Sequence, residues 1–338
     1  MSNNIKKTEK ICNWLANFEN LNFSNKSSLI IGGGEISKHH ILALKKLGVT
    51  DITVISDKGK NISIFCKREK IKLLTGGFER NLVNIEKKDL TIIAIPIPKI
   101  LSATEIATEH DQINILIEKP GSLFSKELEH ASKSLSKFQI RVGFNRLVYP
   151  NFYKLKNLCE KEGGITSCRF TFTERLSKIN FKKKLDDVYK RWGIGNSLHP
   201  ISMAFELIGL PKKIYSQQYG NLEWHPTGSI FVGDGLSKRG IPFSYHADWG
   251  SGGRWGIEVN TSKNSYQLIP LEDLFVCKKD TGIWNQVKFK KSFPEIKQGI
   301  AEEIAIMLDD DKKYINLLPS LKKTSEYLKT AETIFGYN

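Results

Sequence analysis

The stretch Leu29-Ile30-Ile31-Gly32-Gly33-Gly34-Glu35-Ile36-Ser37 restricts the fold more than any other part of the chain. Ser28 to Ile31 reads as a compact strand. After the glycines, Ile36, His40, Ile41, Leu44 and Leu47 fall at helical spacing until Gly48 ends the helix. A strand, a glycine-rich turn and a helix, in that order, are the opening unit of a dinucleotide-binding sheet. Gly32 permits the tight turn, and Gly34 lets the backbone approach a pyrophosphate at the helix N-terminus, beside Glu35 and Ile36. Ser37 stands where G-x-G-x-x-G carries its third glycine, which predicts a slightly wider spacing of helix from sheet.

A second strand, Asp51 to Ile55, ends in Ser56-Asp57-Lys58-Gly59-Lys60. Asp57 lies 57 − 34 = 23 residues after Gly34, close to where such sites place a ribose-binding acid. If Asp57 faces the ribose, its carboxylate accepts from the 2′-hydroxyl and NAD is preferred. If Ser56 takes that place with Lys58 or Lys60 beside it, a 2′-phosphate is welcome and NADP is preferred. The cofactor is therefore NAD or NADP, with the choice open at this level.

The alternation continues. A helix over Ile62 to Lys70 and a short strand at Leu73 and Leu74 precede Asp89 to Pro96, an apolar strand that brings Ile95 and Pro96 to its end. A crossover helix at Ile100 to His110, a strand at Ile113 to Ile117, a helix at Lys126 to Lys137 and a strand at Gln139 to Gly143 follow. Continuous β-branched runs of this kind belong to parallel strands covered on both faces, so the expectation is a doubly wound parallel sheet. Glu118-Lys119-Pro120 closes one of these strands. Ligands of open α/β sheets bind outside the carboxyl ends of the strands, and an ammonium held there beside a nicotinamide can exchange a proton near neutrality.

Beyond Pro150 the pattern changes. A helix at Phe152 to Glu160 leads into Ile165 to Arg175, where Cys168, Phe170 and Phe172 alternate with polar residues. Similar alternation recurs at 214–219, 229–232, 242–247, 254–259 and 264–269, which predicts a second domain on a mainly antiparallel open sheet with one wet face. Within it, Trp192-Gly193-Ile194-Gly195-Asn196-Ser197-Leu198-His199-Pro200 opens a helix running to Leu207. Asn196 and His199 are three apart and share a face if both lie in the first turn. Imidazole is the side chain best matched to proton transfer near pH 7. Arg146, Tyr189, Lys190 and Arg191 are candidates to bind an anionic group on a substrate. The cluster from Tyr245 to Trp255 offers rings and polar groups that suit a sugar's CH face, at the substrate pocket or at a subunit interface.

Composition sets the remaining limits. The formal charge of +15 suits an acidic partner, yet the lysines are spread along the chain among 36 acidic residues, which argues against nucleic acid. No apolar run approaches the ~20 residues that span a bilayer, and the N-terminal residues lack the apolar core of a signal peptide. A cytoplasmic protein without a membrane role is expected. The five cysteines show no CxxC spacing, so neither a disulfide framework nor a metal site is indicated.

The order IIGGGEISKHHILAL, AIP after a buried strand, EKP, VGFNRLVYP and GIGNSLHPISMAFELIG resembles the glucose-fructose oxidoreductase / inositol dehydrogenase / MocA family from about Ser28 to Gly209. Ile11, Trp14, Leu15 and Phe18 recur at helical spacing and predict a helical extension over residues 1–26, which lies outside the resemblance. The resemblance implies a Rossmann domain over 27–146 and an α/β domain over 147–338 whose open sheet often carries a homodimer or homotetramer. It implies oxidation or reduction of a hydroxyl or keto group on a sugar, cyclitol or sugar nucleotide. In the family the EKP lysine contacts the reacting oxygen and a histidine at the second-domain helix moves the proton. These roles fall here to Lys119 and His199, which must then meet at one nicotinamide face. Glu118 and Lys119 join the cofactor-binding set, and Lys119, Arg146, Tyr189, Arg191, Asn196 and His199 the substrate-binding set. One departure is that the family's aspartate four residues before the histidine is Gly195 here. Gly195 and Ser37 favour a second reading, a dinucleotide-binding redox sensor without turnover.

Overall fold

In the computed structural model, which describes residues 2–57, 59–181 and 185–337, the apolar runs become the middle of a sheet. After helix α1 (Ser2–Asn17) come β1 (Ser27–Ile31), α2 (Glu35–Lys46), β2 (Asp51–Ser56), α3 (Lys60–Glu69), β3 (Lys72–Thr75) and α4 (Phe78–Asn81). Then follow β4 (Leu90–Ile93), α5 (Ile100–Glu109), β5 (Asn114–Glu118), α6 (Ser125–Ser134) and β6 (Gln139–Gly143). The six strands are parallel in the order β3-β2-β1-β4-β5-β6. This is the doubly wound arrangement, whose order reverses at β1 and opens a crevice beyond the carboxyl ends of β1 and β4. Leu29, Ile30 and Ile31 of β1 and all of β4 are buried, as continuous apolar strands covered on both faces must be.

The second sheet is built from α7 (Pro150–Lys161), β7 (Ser167–Phe172), α8 (Asp186–Lys190), α9 (Trp192–Gly195), α10 (Leu198–Ile208) and the strands that follow. These are β8 (Pro211–Tyr219), β9 (Ile230–Ser237), β10 (Pro242–Asp248), β11 (Trp255–Asn260), β12 (Asn264–Leu268), β13 (Phe275–Lys278) and β14 (Trp284–Gln286). Its eight strands run β14-β13-β12-β11-β7-β10-β9-β8, antiparallel except where β7 meets β10. Alternation sets its faces: Phe170 and Phe243 turn inward, where Phe205 of α10 meets both edge-on, while Tyr215 and Tyr219 of β8 remain 64% and 52% exposed. The chain ends with α11 (Ile300–Leu308) and α12 (Leu321–Phe335). The sequence reading had no place for β13, β14, α11 or α12. The two strands are short and exposed or half-exposed, and α11 carries two glutamates in a helix buried along its whole length.

The chain divides into two compact units. One, here the Rossmann unit, comprises Ala16–Val148 and Lys291–Ser325; the other, the antiparallel-sheet unit, comprises Met1–Leu15, Tyr149–Lys290 and Glu326–Asn338. Residues 291–325 thus group with the Rossmann sheet, whereas the sequence reading assigned everything after 146 to the second domain. Their α11 packs on α2, and Pro319 accepts a backbone hydrogen bond from Val142 of β6 at 2.9 Å. Among the described residues no helix is long and apolar enough to cross a membrane.

Candidate active site

Of the three consecutive glycines of the first turn, two are required by close approach and the third stands in open space. Gly32 has φ +136°, and a Cβ there would lie 2.1 Å from the Ala94 carbonyl oxygen, because β1 and β4 stay paired to their very ends. A Cβ on Gly33 would stand 2.4 Å from Ser56 Oγ. At Gly34 the surroundings are open, with nothing within 4 Å of a Cβ position. Gly34 is the N-cap of α2 and supplies no side-chain cap, so the first N–H groups of a twelve-residue helix face that open space. An uncapped helix N-terminus beside a glycine with free approach fits a pyrophosphate.

Gly32, Gly34, Ser56, Asp57, Ile95 and Pro96 line one cavity of about 430 Å³ at this turn. Phe78 and Lys99, which the sequence reading did not single out, line it as well. Lys99 closes a short 3₁₀ turn after β4, so a basic residue just past a buried strand was the available signal. Ser56 is buried against Gly33, and Asp57 stands exposed beyond the strand. Glu35 is exposed and ion-paired with Lys38 at 2.6 Å, Ile36 is half-buried, and neither lines the cavity. Lys58 lies outside the described residues. Ser37 is fully buried, and its Oγ has no hydrogen-bond partner among the described residues.

Lys119 follows the last residue of β5 directly and is half-buried, with a cis peptide to Pro120. Glu118 turns to α2, where His40 Nε2 lies 2.8 Å from its Oε1. Burial works to raise the Glu118 carboxyl, but the hydrogen bond and charge of His40, with Lys297 and Lys119 beyond, outweigh it and hold the group below the ordinary 4.5. The neighbouring strand presents Gly143, and Glu303 of α11 packs on its open face, 3.4 Å from a Cβ position. Glu303 is fully buried, and neither carboxyl oxygen has a partner among the described residues. Burial, reinforced by Glu118 and Glu302 and opposed by Lys297, pushes its carboxyl well above 4.5. Arg146 is half-buried in the 3₁₀ turn after β6.

In the antiparallel-sheet unit, His199 is the second residue of α10 and is buried, its ring centroid 6.0 Å from that of Trp255. Asn196 is not in the same helical turn. It sits between α9 and α10 with φ −126°, and its Nδ2 donates to Glu174 Oε2 at 2.8 Å. The expected shared face of Asn196 and His199 is therefore replaced by a carboxylate that sequence reasoning missed. Tyr189 is buried, donates to the Asn180 carbonyl at 2.6 Å and stacks on Trp192. Arg191 is buried, pairs with Glu332 at 2.7 Å and lies 4.7 Å over the Tyr337 ring. Both side chains are engaged within the unit's own core. Of the Tyr245–Trp255 cluster, Tyr245 and Trp249 pack in the sheet, and Trp255 is the ring that reaches His199.

Residues 20–119 match an NAD(P)-binding family model (NAD_binding_7). The chain is 29% identical over 189 residues to "Uncharacterized oxidoreductase YrbE" of Bacillus subtilis (strain 168); it spans about half that relative's length, the match covering 53% of each chain. Among solved structures, UDP-N-acetylglucosamine 3-dehydrogenase GnnA from Acidithiobacillus ferrooxidans superposes with a TM-score of 0.70 at 13% identity, covering 92% of this chain and 97% of the other. A levoglucosan dehydrogenase, solved in complex with NADH and levoglucosan, superposes with a TM-score of 0.70 at 17% identity, covering 91% and 96%. At such low identity the shared property is the fold. By the family-model match the chain has an NAD(P)-binding domain, and it shares the fold of these two solved dehydrogenases.

Proposed function

We propose that this chain is an NAD(P)-dependent oxidoreductase acting on a hydroxyl or keto group of a sugar, cyclitol or sugar nucleotide. The observation that carries the reading is the cavity at the glycine turn, where an open Gly34, an uncapped α2 and Asp57 come together. Bound NAD(P) would supply the hydride acceptor or donor. The backbone N–H groups at the start of α2 would hold the pyrophosphate, and Gly32 and Gly33 let the turn close tightly enough to present them. Asp57 accepts from a ribose 2′-hydroxyl and repels a 2′-phosphate, which favours NAD over NADP. Lys119, at the carboxyl end of β5, polarises the reacting oxygen of the substrate. His199 takes or gives the proton at that oxygen. We assign substrate contact also to Arg146, while Tyr189, Arg191 and Asn196 support the second unit's core. The open face of the antiparallel sheet, with Tyr215 and Tyr219, is assigned to self-association.

The test is absorbance at the reduced-nicotinamide band against a panel of sugars, polyols and sugar nucleotides. The reading requires turnover with at least one of them, and a loss of more than about tenfold in both Lys119→Ala and His199→Ala. Rates unchanged in either variant overturn the assignment of that residue. Tight dinucleotide binding with no hydride exchange against any member of the panel would mark the chain as a sensor instead.

A further inference from the structure

The antiparallel-sheet unit contains a buried carboxylate for which the reading above has no use. Glu174 lies just past β7 and is 6% exposed. Its Oε2 accepts from Asn196 Nδ2 at 2.8 Å; its Oε1 accepts from Ser197 Oγ at 2.5 Å and from the Trp255 indole N–H at 3.2 Å. Donors converging on both oxygens are what an ionised carboxylate satisfies and an amide cannot. Burial raises the Glu174 carboxyl, and these donors act against that rise. The partners are not scattered. Asn196 and Ser197 immediately precede α10, and Ser197 occupies its N-cap position, yet the hydroxyl goes to Glu174 and makes no cap bond to the helix. The third donor belongs to the ring that stands against His199.

We propose that Glu174 is the positioning residue of His199: one anchored carboxylate fixes both the start of the helix that bears the imidazole and the indole that flanks it. The proposal rests on the role given to His199 above, but its geometry does not depend on what the substrate is. A misplacement of about 1 Å at a proton-transfer group costs up to about a hundredfold in rate, so a device that locks the ring from two sides has a catalytic purpose as well as a structural one.

The hydrogen-bond pattern defines an exchange experiment on the full chain. Glu174→Gln alone can keep the Oε1 acceptor for Ser197 and Trp255, but it sets its own amide donor against that of Asn196. Adding Asn196→Asp turns that position into an acceptor and restores every bond with the polarity of one pair reversed. With ¹⁵N-labelled protein, Glu174→Gln is expected to shift the His199 imidazole and Trp255 indole signals, and to lower kcat by about tenfold while leaving the KM for the dinucleotide within about twofold. The double variant is expected to return both sets of signals and to recover kcat to within about threefold of the starting protein. His199 signals unmoved in Glu174→Gln, or a double variant with the same loss as the single one, would overturn the proposal. Should the single variant fail to fold, a folded double variant with native-like His199 signals still supports it, and one with displaced signals refutes it. The spectra need no substrate. Shifted His199 signals in a chain that turns over nothing would defeat the proposed activity and leave this inference standing.

Discussion

In the Rossmann unit the glycine turn is shaped by backbone, whereas in the antiparallel-sheet unit the surroundings of His199 are shaped by side chains. At the glycine turn the geometry follows from what is missing: Gly32 and Gly33 let the chain pass where a Cβ would clash, Gly34 stands in open space, and no side chain caps the start of α2. Around His199, every feature is a side-chain contact, from Glu174 to Trp255. A backbone site is set by spacing along the chain and tolerates change nearby, whereas a side-chain site is set by the packing of segments far apart in sequence. The two units also store titratable groups of opposite sense, Glu303 in one and His225 in the other.

That last contrast gives the largest expected effect. Burial lowers His225 from 6.5 to about 4; its Nδ1–H donates to the Gly228 carbonyl, and Nε2 accepts from Tyr337. As pH falls below 6.5 the unfolded chain binds a proton that the folded chain refuses, so stability is lost between 6.5 and about 4, by up to about 3 kcal/mol from this group. For Glu303 the sign reverses. Below 4.5 both states are protonated; as pH rises above it the unfolded chain releases a proton that the folded one retains, and stability declines until the folded group also ionises. Urea midpoints measured across pH should therefore lose their acid limb in His225→Gln and flatten on the alkaline side in Glu303→Gln. Identical profiles for the two variants would break the comparison.

Next in size are the glycines. Gly32→Ala forces a Cβ into the Ala94 carbonyl at a positive φ, with an expected loss of about 2–3 kcal/mol and of dinucleotide binding. Its counterpart is Gly193→Ala, where a Cβ would stand 2.3 Å from the buried Phe335 ring; about 1–3 kcal/mol should go while dinucleotide affinity stays. Denaturant titration with a parallel binding assay separates the two outcomes. A smaller effect is expected from Asp57→Ser, which should move the ratio of kcat/KM for NAD over NADP toward NADP by about tenfold. Smallest is Ser37→Ala, which removes a buried hydroxyl lacking a partner and should leave stability unchanged or raise it by under about 1 kcal/mol, as read from the thermal midpoint.

What the sequence made legible divides along the same line. The positions of Gly32, Gly34 and Asp57 at the cavity could be read because a strand, a turn and a helix impose fixed intervals, and the position of Lys119 just past β5 because the strand ends where its apolar run ends. Glu174 could not be found: its partners lie 22, 23 and 81 residues away, and no local rule couples them. Arg191 and Tyr189 looked available for a ligand because charge and hydroxyl are visible in a sequence, whereas Glu332 and the Asn180 carbonyl that engage them are not. The same reason hid Glu303, a charged residue inside a helix that reads as solvated until α11 is seen to be buried.

The return of residues 291–325 to the Rossmann unit has a consequence for how this chain is made. On the ribosome, all six parallel strands emerge long before α11, so the nascent sheet waits through the synthesis of the entire second sheet with the flank of α2 uncovered. A fragment cut after β6 would stay in that unfinished condition, and cofactor binding is therefore a property to be sought in the whole chain.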